Sequence, residues 1–216
     1  MMARLGWVHL QPSVIVDVGG GMGCYKADLA QTYPDAQFFA TAFSSSGERL
    51  PFQTNTVDLL LVNLKLPWCV ELAPVFAEWR RVLSPNGLVI FSSLGPDTLC
   101  ELGKSSLNLL DMHDVGDALL KAGFVDPVLD RECLTFTYRK KETIFDDLRA
   151  MSILENDLPL SASEIEIEPN AAGVMPVTFE VIYGYARGAL VSSMAADKDG
   201  VVKISLEAFK KQLFNV

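Results

Sequence analysis

A run of glycines next to one carboxylate is the part of this 216-residue sequence whose residue types best suit ligand chemistry. Asp17 is followed by Gly19, Gly20, Gly21 and Gly23. Glycines have no Cβ, so the backbone can approach a ligand closely and adopt positive φ angles. Asp17 can accept hydrogen bonds from backbone N–H groups of the turn or from the ammonium of a ligand. We interpret the loop as a site for a nucleotide-type ligand; a purely structural turn is the alternative, although it does not need four glycines.

The spacing of these glycines fits the dinucleotide-binding pattern only weakly. That pattern needs a third Gly or Ala for close packing between helix and strand. Gly19 and Gly21 match its first two positions, but Tyr25 falls near the third. The loop therefore does not favour a nicotinamide or flavin dinucleotide.

The segments on either side of the loop alternate between strand and helix patterns, which predicts an α/β fold with a mostly parallel sheet. Ligands bind such sheets at the carboxyl ends of the strands. The glycine loop and Asn63, which both follow apolar runs, occupy that position, and we expect one domain over residues 1–216. The predicted strands are Val14–Val18, Gln37–Phe43, Val57–Asn63, Leu88–Ser92, Val128–Thr137 and Val177–Tyr183, the last antiparallel; the predicted helices are Tyr25–Tyr33, Pro74–Leu83, Asp111–Ala122, Thr143–Met151 and Leu206–Phe214.

Composition excludes several classes of function. The net charge of −9 argues against general binding of nucleic acids, which needs cations to neutralise phosphates. The four cysteines form no CxxC pair, so neither a metal site nor a redox dithiol is expected. We expect no membrane-spanning helix and no secretory signal, and therefore a cytoplasmic protein. The basic cluster at Arg139–Lys141 is either solvated surface or a docking patch for an acidic partner.

Several strings resemble a known family. The Asp17–Gly23 loop resembles the first motif of class I S-adenosylmethionine-dependent methyltransferases, and Leu50–Phe52 and Arg80–Gly87 resemble later motifs of that fold. Four longer strings are similar to the malonyl-acyl-carrier-protein O-methyltransferases of biotin synthesis. They are Asn63–Cys69, Gly95–Leu99, Asp111–Asp117 and Thr178–Gly184.

The resemblance implies transfer of a methyl group from S-adenosylmethionine to the free carboxylate of a malonyl thioester on acyl carrier protein. A carboxylate is already a nucleophile, so catalysis would consist mainly of positioning in a dry pocket, and we assign no catalytic base. Trp68, Arg139 and Tyr183 are the candidates for contacts with the substrate. The cofactor-binding residues that the resemblance implies are Asp17, Gly19, Gly20, Gly21, Gly23, Ser46 and Asn63.

The sequence also departs from the family pattern. Ala42 stands near the position of the acid that grips the cofactor ribose, and Ser44–Gly47 replaces a helix and the third strand of the sheet. We therefore expect a sheet without its usual edge strand, whose exposed second strand can pair with a second copy of the chain. A degenerate, non-catalytic binding or assembly partner is the alternative function, and a methyltransferase with a different acceptor is a third.

Overall fold

The computed structural model describes residues 1–6, 8–20, 25–102, 109–151 and 167–188. These ranges contain helices α1 (Met2–Leu5), α2 (Lys26–Thr32), α3 (Leu72–Val82), α4 (Met112–Lys121) and α5 (Lys141–Ala150). The strands are β1 (Val14–Val18), β2 (Gln37–Thr41), β3 (Val57–Val62), β4 (Leu83–Leu94), β5 (Val125–Tyr138) and β6 (Met175–Arg187).

The six strands form one sheet in the order β2-β1-β3-β4-β6-β5. The pairs among β2, β1, β3 and β4 are parallel, whereas β6 is antiparallel to both of its neighbours. This confirms the predicted α/β sheet with one antiparallel strand. Strand β2 pairs with β1 alone and lies at the edge, as expected when the third strand is missing. Phe39 on this edge is 41% exposed, and pairing of two copies here stays a prediction.

Helices cover both faces of the sheet because the central strands are apolar on both sides. The side chains of β3 are almost entirely buried, which is typical of a parallel strand covered on two faces. On one face, α3 and α4 pack against the sheet through residues such as Phe76 and Val115. On the other, α1 and α2 contribute Leu5 and Leu29.

The ends of α4 follow from its sequence. Asp111 is the N-cap and accepts a hydrogen bond from the backbone N–H of His113 at 2.8 Å. Such caps satisfy a free N–H of the first turn. Gly123, just after the helix, takes the positive φ of 86° that glycine tolerates. These two features account for where α4 begins and ends, close to the predicted bounds Asp111–Ala122.

Two element boundaries were predicted wrongly. The fourth strand was expected to begin at Leu88, but β4 begins at Leu83 and includes Ser84–Gly87, where Asn86 has a φ of 66° and the pairing with β3 shifts register. Strands β5 and β6 are also longer than expected. Leu94, the last residue of β4, pairs with Val181, so beyond it β5 and β6 pair with each other and no longer with β4. We call these segments, Cys133–Tyr138 and Met175–Glu180, the β5–β6 arm.

Helix α5 packs against the arm through Ile144 and Leu148, which contact the cluster that contains Phe179. The predicted terminal helix Leu206–Phe214 lies outside the described residues, so a single domain over 1–216 stays a prediction. Among the helices of the described ranges, none has both the length and the apolar character needed to cross a membrane.

Candidate functional site

The carboxylate of Asp17 is the most unusual group at the carboxyl edge of the sheet. Asp17 lies on β1, is 0% exposed, and neither of its carboxylate oxygens has a hydrogen-bond partner among the described residues. Burial raises the pKa of this carboxyl, while the nearby charge of Lys65 lowers it. A buried carboxylate without a partner is costly. Its position next to the loop suits it to accept hydrogen bonds from a cationic ligand.

A side chain at Gly19 or Gly20 would clash with neighbouring residues. A Cβ on Gly20 would overlap the carboxylate of Asp17. Gly19 has a φ of +74°, and its N–H donates to the carbonyl of Thr41 at 2.8 Å. The loop therefore crosses directly over Asp17 with bare backbone. Gly21 and Gly23, which were also predicted to bind the cofactor, lie outside the described residues.

Asn63 lies beside this loop, as expected. It follows Val62, which pairs with Val18 just before Gly19. Its amide oxygen accepts a hydrogen bond from the Ser92 hydroxyl at 2.6 Å. The bond leaves the amide NH₂ as the donor that can face a ligand. Ser92 also accepts from the N–H of Leu64 at 3.0 Å, so the end of β3 is fixed by its neighbour β4.

The loop after β2 leaves little space beside the glycines. The hydroxyl of Ser46 lies 3.2 Å from that of Ser44, and both belong to a loop that packs toward α3. A narrow cleft between Val18, Phe43 and this loop holds about 10 Å³, which is room for one water molecule. A purine therefore enters only if the loop moves. Glu48 lines the same cleft, and the sequence analysis did not assign it.

The three substrate candidates do not lie together. Trp68 belongs to a 3₁₀ turn after β3 and packs against the cluster of α5 and β6; its buried ring N–H has no partner in the described part of the chain. Tyr183 is on β6, three strand spacings from β1, or roughly 14 Å. Its ring lies 3.7 Å beneath the Arg4 guanidinium. Arg139 is exposed and follows β5, the far edge strand.

The structure brings one further side chain to the loop that the sequence analysis did not assign. A Cβ built on Gly19 would lie 2.6 Å from Cε of Lys65 and 2.9 Å from Cβ of Phe43. Lys65 therefore reaches from the end of β3 to the glycine loop. The available signal was its position two residues after Asn63, at the edge where ligands bind.

Comparisons with known proteins agree with this geometry. A family described as a methyltransferase domain matches residues 16–91. The malonyl-[acyl-carrier protein] O-methyltransferase of Gallionella capsiferriformans is 35% identical over 86% of this chain and 80% of its own length. The enzyme of the same name from Methylovorus sp. is 33% identical over 86% of this chain and 79% of its own.

Solved structures of methyltransferases share the fold. Phosphoethanolamine N-methyltransferase 2 of Haemonchus contortus, solved with S-adenosyl-L-methionine, has a TM-score of 0.54 and is 14% identical, with 87% of this chain and 51% of that chain covered. Geranyl diphosphate C-methyltransferase of Streptomyces coelicolor, solved with S-adenosyl-L-homocysteine, has a TM-score of 0.52 and is 15% identical, with 87% and 76% covered.

Proposed function

Because the chain belongs to the malonyl-[acyl-carrier protein] O-methyltransferase family, we propose that it methylates the free carboxylate of a malonyl thioester carried by acyl carrier protein. The methyl donor is S-adenosylmethionine. The methyl ester removes the negative charge that distinguishes the malonyl group from a simple acyl group. We place this methylation step in biotin synthesis.

The observation that carries the proposal is the buried carboxylate of Asp17 beneath the backbone of Gly20. The amino-acid end of S-adenosylmethionine has an ammonium group, which supplies the hydrogen bonds that Asp17 lacks among the described residues. The bare backbone of Gly19 and Gly20 and the amide of Asn63 would hold the rest of that end. The residues present therefore fit the amino-acid part of the cofactor.

The described residues offer fewer contacts to the purine end of S-adenosylmethionine than to its amino-acid end. The described cleft next to Ser46 is too narrow for a ring, and no carboxylate stands at Ala42, just after β2. We propose that the loop carrying Ser46 and Glu48 shifts outward when the cofactor binds. Ser46 would then offer a hydroxyl to the purine, and Glu48 would offer the carboxylate that Ala42 does not.

The reaction requires the protein mainly to position the two substrates and to exclude water from the site. When bound, S-adenosylmethionine supplies a methyl group on a sulfonium, and the carbon–sulfur bond breaks to leave a neutral thioether as the methyl–oxygen bond forms. The acceptor oxygen is already ionised, so no side chain has to remove a proton. The apolar side chains of Leu64 and Trp68, which join the cluster beneath α5, exclude water from one side of the site.

The test is methylation of malonyl-acyl carrier protein by the purified chain with labelled cofactor, followed by mass analysis of the product. We expect one methyl ester per malonyl group, and none on acetyl-acyl carrier protein, which lacks the carboxylate. Calorimetric titration with S-adenosylmethionine accompanies the assay. Binding without any methylation would support the non-catalytic alternative, and methylation of other carboxylates alone would support a different acceptor. Absence of both binding and turnover would contradict the proposal.

A further inference from the structure

The cationic side chain of Lys65 lies against the glycine loop. Its backbone is fixed by the 3₁₀ turn Leu66–Trp68, because its carbonyl accepts the N–H of Trp68 at 3.2 Å. Its side chain extends toward Gly19, where a built Cβ would lie 2.6 Å from Cε and 3.3 Å from Cδ. Any side chain at position 19 would therefore displace the side chain of Lys65.

The ammonium of Lys65 has no salt-bridge partner within 4.0 Å in the described ranges. It lies close enough to Asp17 to lower the pKa of that carboxyl, but the two groups form no ion pair. The site therefore presents a half-buried cation in addition to the buried carboxylate. A cation in such a place is stabilised by an anionic ligand.

Other cations that face the sheet are already engaged or are remote. Arg131 pairs with Glu180 at 3.0 Å, and Arg4 pairs with Asp130 at 2.7 Å. Arg139 follows the outermost strand, on the far side of β6 from the loop. Of these four cations, Lys65 both contacts the loop and has no ion pair in the described ranges.

We propose that Lys65 binds the free carboxylate of the acceptor and thereby selects malonyl over simple acyl thioesters. The inference rests on the proposed function, because that reaction requires a carboxylate next to the cofactor's methyl group. A carboxylate has two oxygens, so one can accept from the Lys65 ammonium while the other attacks the methyl carbon. An acyl thioester without the carboxylate would leave Lys65 unpaired.

The experiment compares the wild-type chain with Lys65→Met and Lys65→Arg. Binding of malonyl- and acetyl-acyl carrier protein is measured in the presence of S-adenosylhomocysteine, so that no reaction occurs, and the affinity for S-adenosylhomocysteine is measured alone. We expect wild type to prefer the malonyl form by about tenfold or more, as one charge-assisted hydrogen bond provides. Lys65→Met should lose this preference and keep its affinity for S-adenosylhomocysteine, while Lys65→Arg should retain part of the preference. Lys121→Met, which removes an exposed lysine at the end of α4, is the matched control and should behave as wild type.

The outcomes separate the inference from the function on which it rests. If wild type methylates malonyl-acyl carrier protein and Lys65→Met still prefers it, the inference is wrong and the function stands. Tighter binding of S-adenosylhomocysteine by Lys65→Met, with the preference unchanged, would show that Lys65 fills the cofactor site instead. If wild type neither binds nor methylates the malonyl form, both the function and the inference are wrong.

Discussion

At the scale of single residues, the buried carboxylate of Asp17 favours binding of the cofactor but lowers the stability of the cofactor-free protein. Burial raises the pKa of Asp17 in the folded protein above its value of 3.8 in the unfolded chain. A raised pKa means that the folded state binds the proton more tightly. The resulting stabilisation is therefore complete below the unfolded pKa and is lost as the pH rises through the folded pKa.

We expect Asp17→Asn to stabilise the cofactor-free protein near neutral pH by about 1 kcal/mol, because it replaces an ionised buried group with a neutral one. The advantage should shrink as the pH falls through the raised pKa of Asp17 in the folded protein, where its carboxyl becomes protonated, and should have disappeared below the unfolded value of 3.8. Urea unfolding at several pH values measures both effects, and titration with S-adenosylmethionine should show that binding is lost. Asp35→Asn, at an exposed site, is the control. An Asp17→Asn variant less stable than wild type near neutral pH would mean that the carboxylate is paired.

The sequence fits the structure best where a position depends only on the end of a strand. Gly19 and Asn63 lie at the carboxyl ends of β1 and β3, as the short apolar runs before them indicate, and their binding roles stay predictions. The surroundings of Tyr183 were not predictable, because its ring lies beneath Arg4, a residue remote in sequence. Lys65 was missed for a related reason, since the reach of a long side chain across a sheet depends on packing that no local pattern encodes.

At the scale of elements, Glu180 ties the end of β4 to the antiparallel strands. Its carboxylate is 2% exposed, accepts the N–H of Asp97 at 2.8 Å and pairs with Arg131 at 3.0 Å. A Cβ on Gly95 would lie 2.5 Å from the same carboxyl group. The loop after β4 therefore folds over Glu180, and this loop begins at the edge of the sheet that carries the proposed site.

We expect Glu180→Gln to lower the free energy of unfolding by about 1–3 kcal/mol, because the amide keeps an acceptor for Asp97 but loses the charge that Arg131 needs. Urea unfolding measures the loss, and a double-mutant cycle with Arg131→Gln isolates the coupling between the two side chains. Glu168→Gln, at an exposed position outside the sheet, should change stability by less than about 0.5 kcal/mol. A zero coupling energy would contradict the assigned ion pair.

Element boundaries show what local patterns miss. Ser84–Gly87 contains the Pro, Asn and Gly that are typical of turns, and Asn86 adopts a positive φ. The fourth strand nevertheless begins before this segment, at Leu83, because β3 pairs with β4 on both sides of the irregularity. The lengths of β5 and β6 were underestimated mainly at the ends away from the arm, at 125–127 and 184–187, where Pro127 and Gly184 are residues that weaken a strand pattern. The two strands extend because they pair with each other.

At the scale of the whole molecule, the strand order was predictable because losing an edge strand leaves the order of the others intact. The glycine loop fixed the position of β1, and the shortened segment at Ser44–Gly47 indicated that β2 would be the edge. The packing of α5 on the β5–β6 arm was less predictable, because it involves contacts between segments far apart in sequence.

The proposed substrate is borne on another protein, although this chain itself has a net charge of −9. Arg139 and Lys140 are exposed and follow the β5–β6 arm, which projects beyond the carboxyl ends of β3 and β4 on the side of the sheet where the glycine loop lies, because β5 runs in the same direction as β4. The loop is level with Leu129 on β5, so these cations lie roughly 30 Å beyond that level. No salt bridge engages them in the described part of the chain. We therefore interpret them as a docking site for an acidic carrier protein, since opposite charge speeds and orients association.

Reversing both charges, Arg139→Glu with Lys140→Glu, should raise KM for malonyl-acyl carrier protein by about tenfold and leave kcat nearly unchanged, because docking weakens while the glycine loop is untouched. KM for a malonyl thioester of a small thiol should not change, since that substrate has no protein surface to dock. Added salt should raise KM for the carrier substrate in wild type and much less in the variant. Lys121→Glu, on an exposed position at the end of α4, changes the net charge without touching the arm and should resemble wild type. An equal loss with both substrates would place the damage in the active site and contradict docking at the arm.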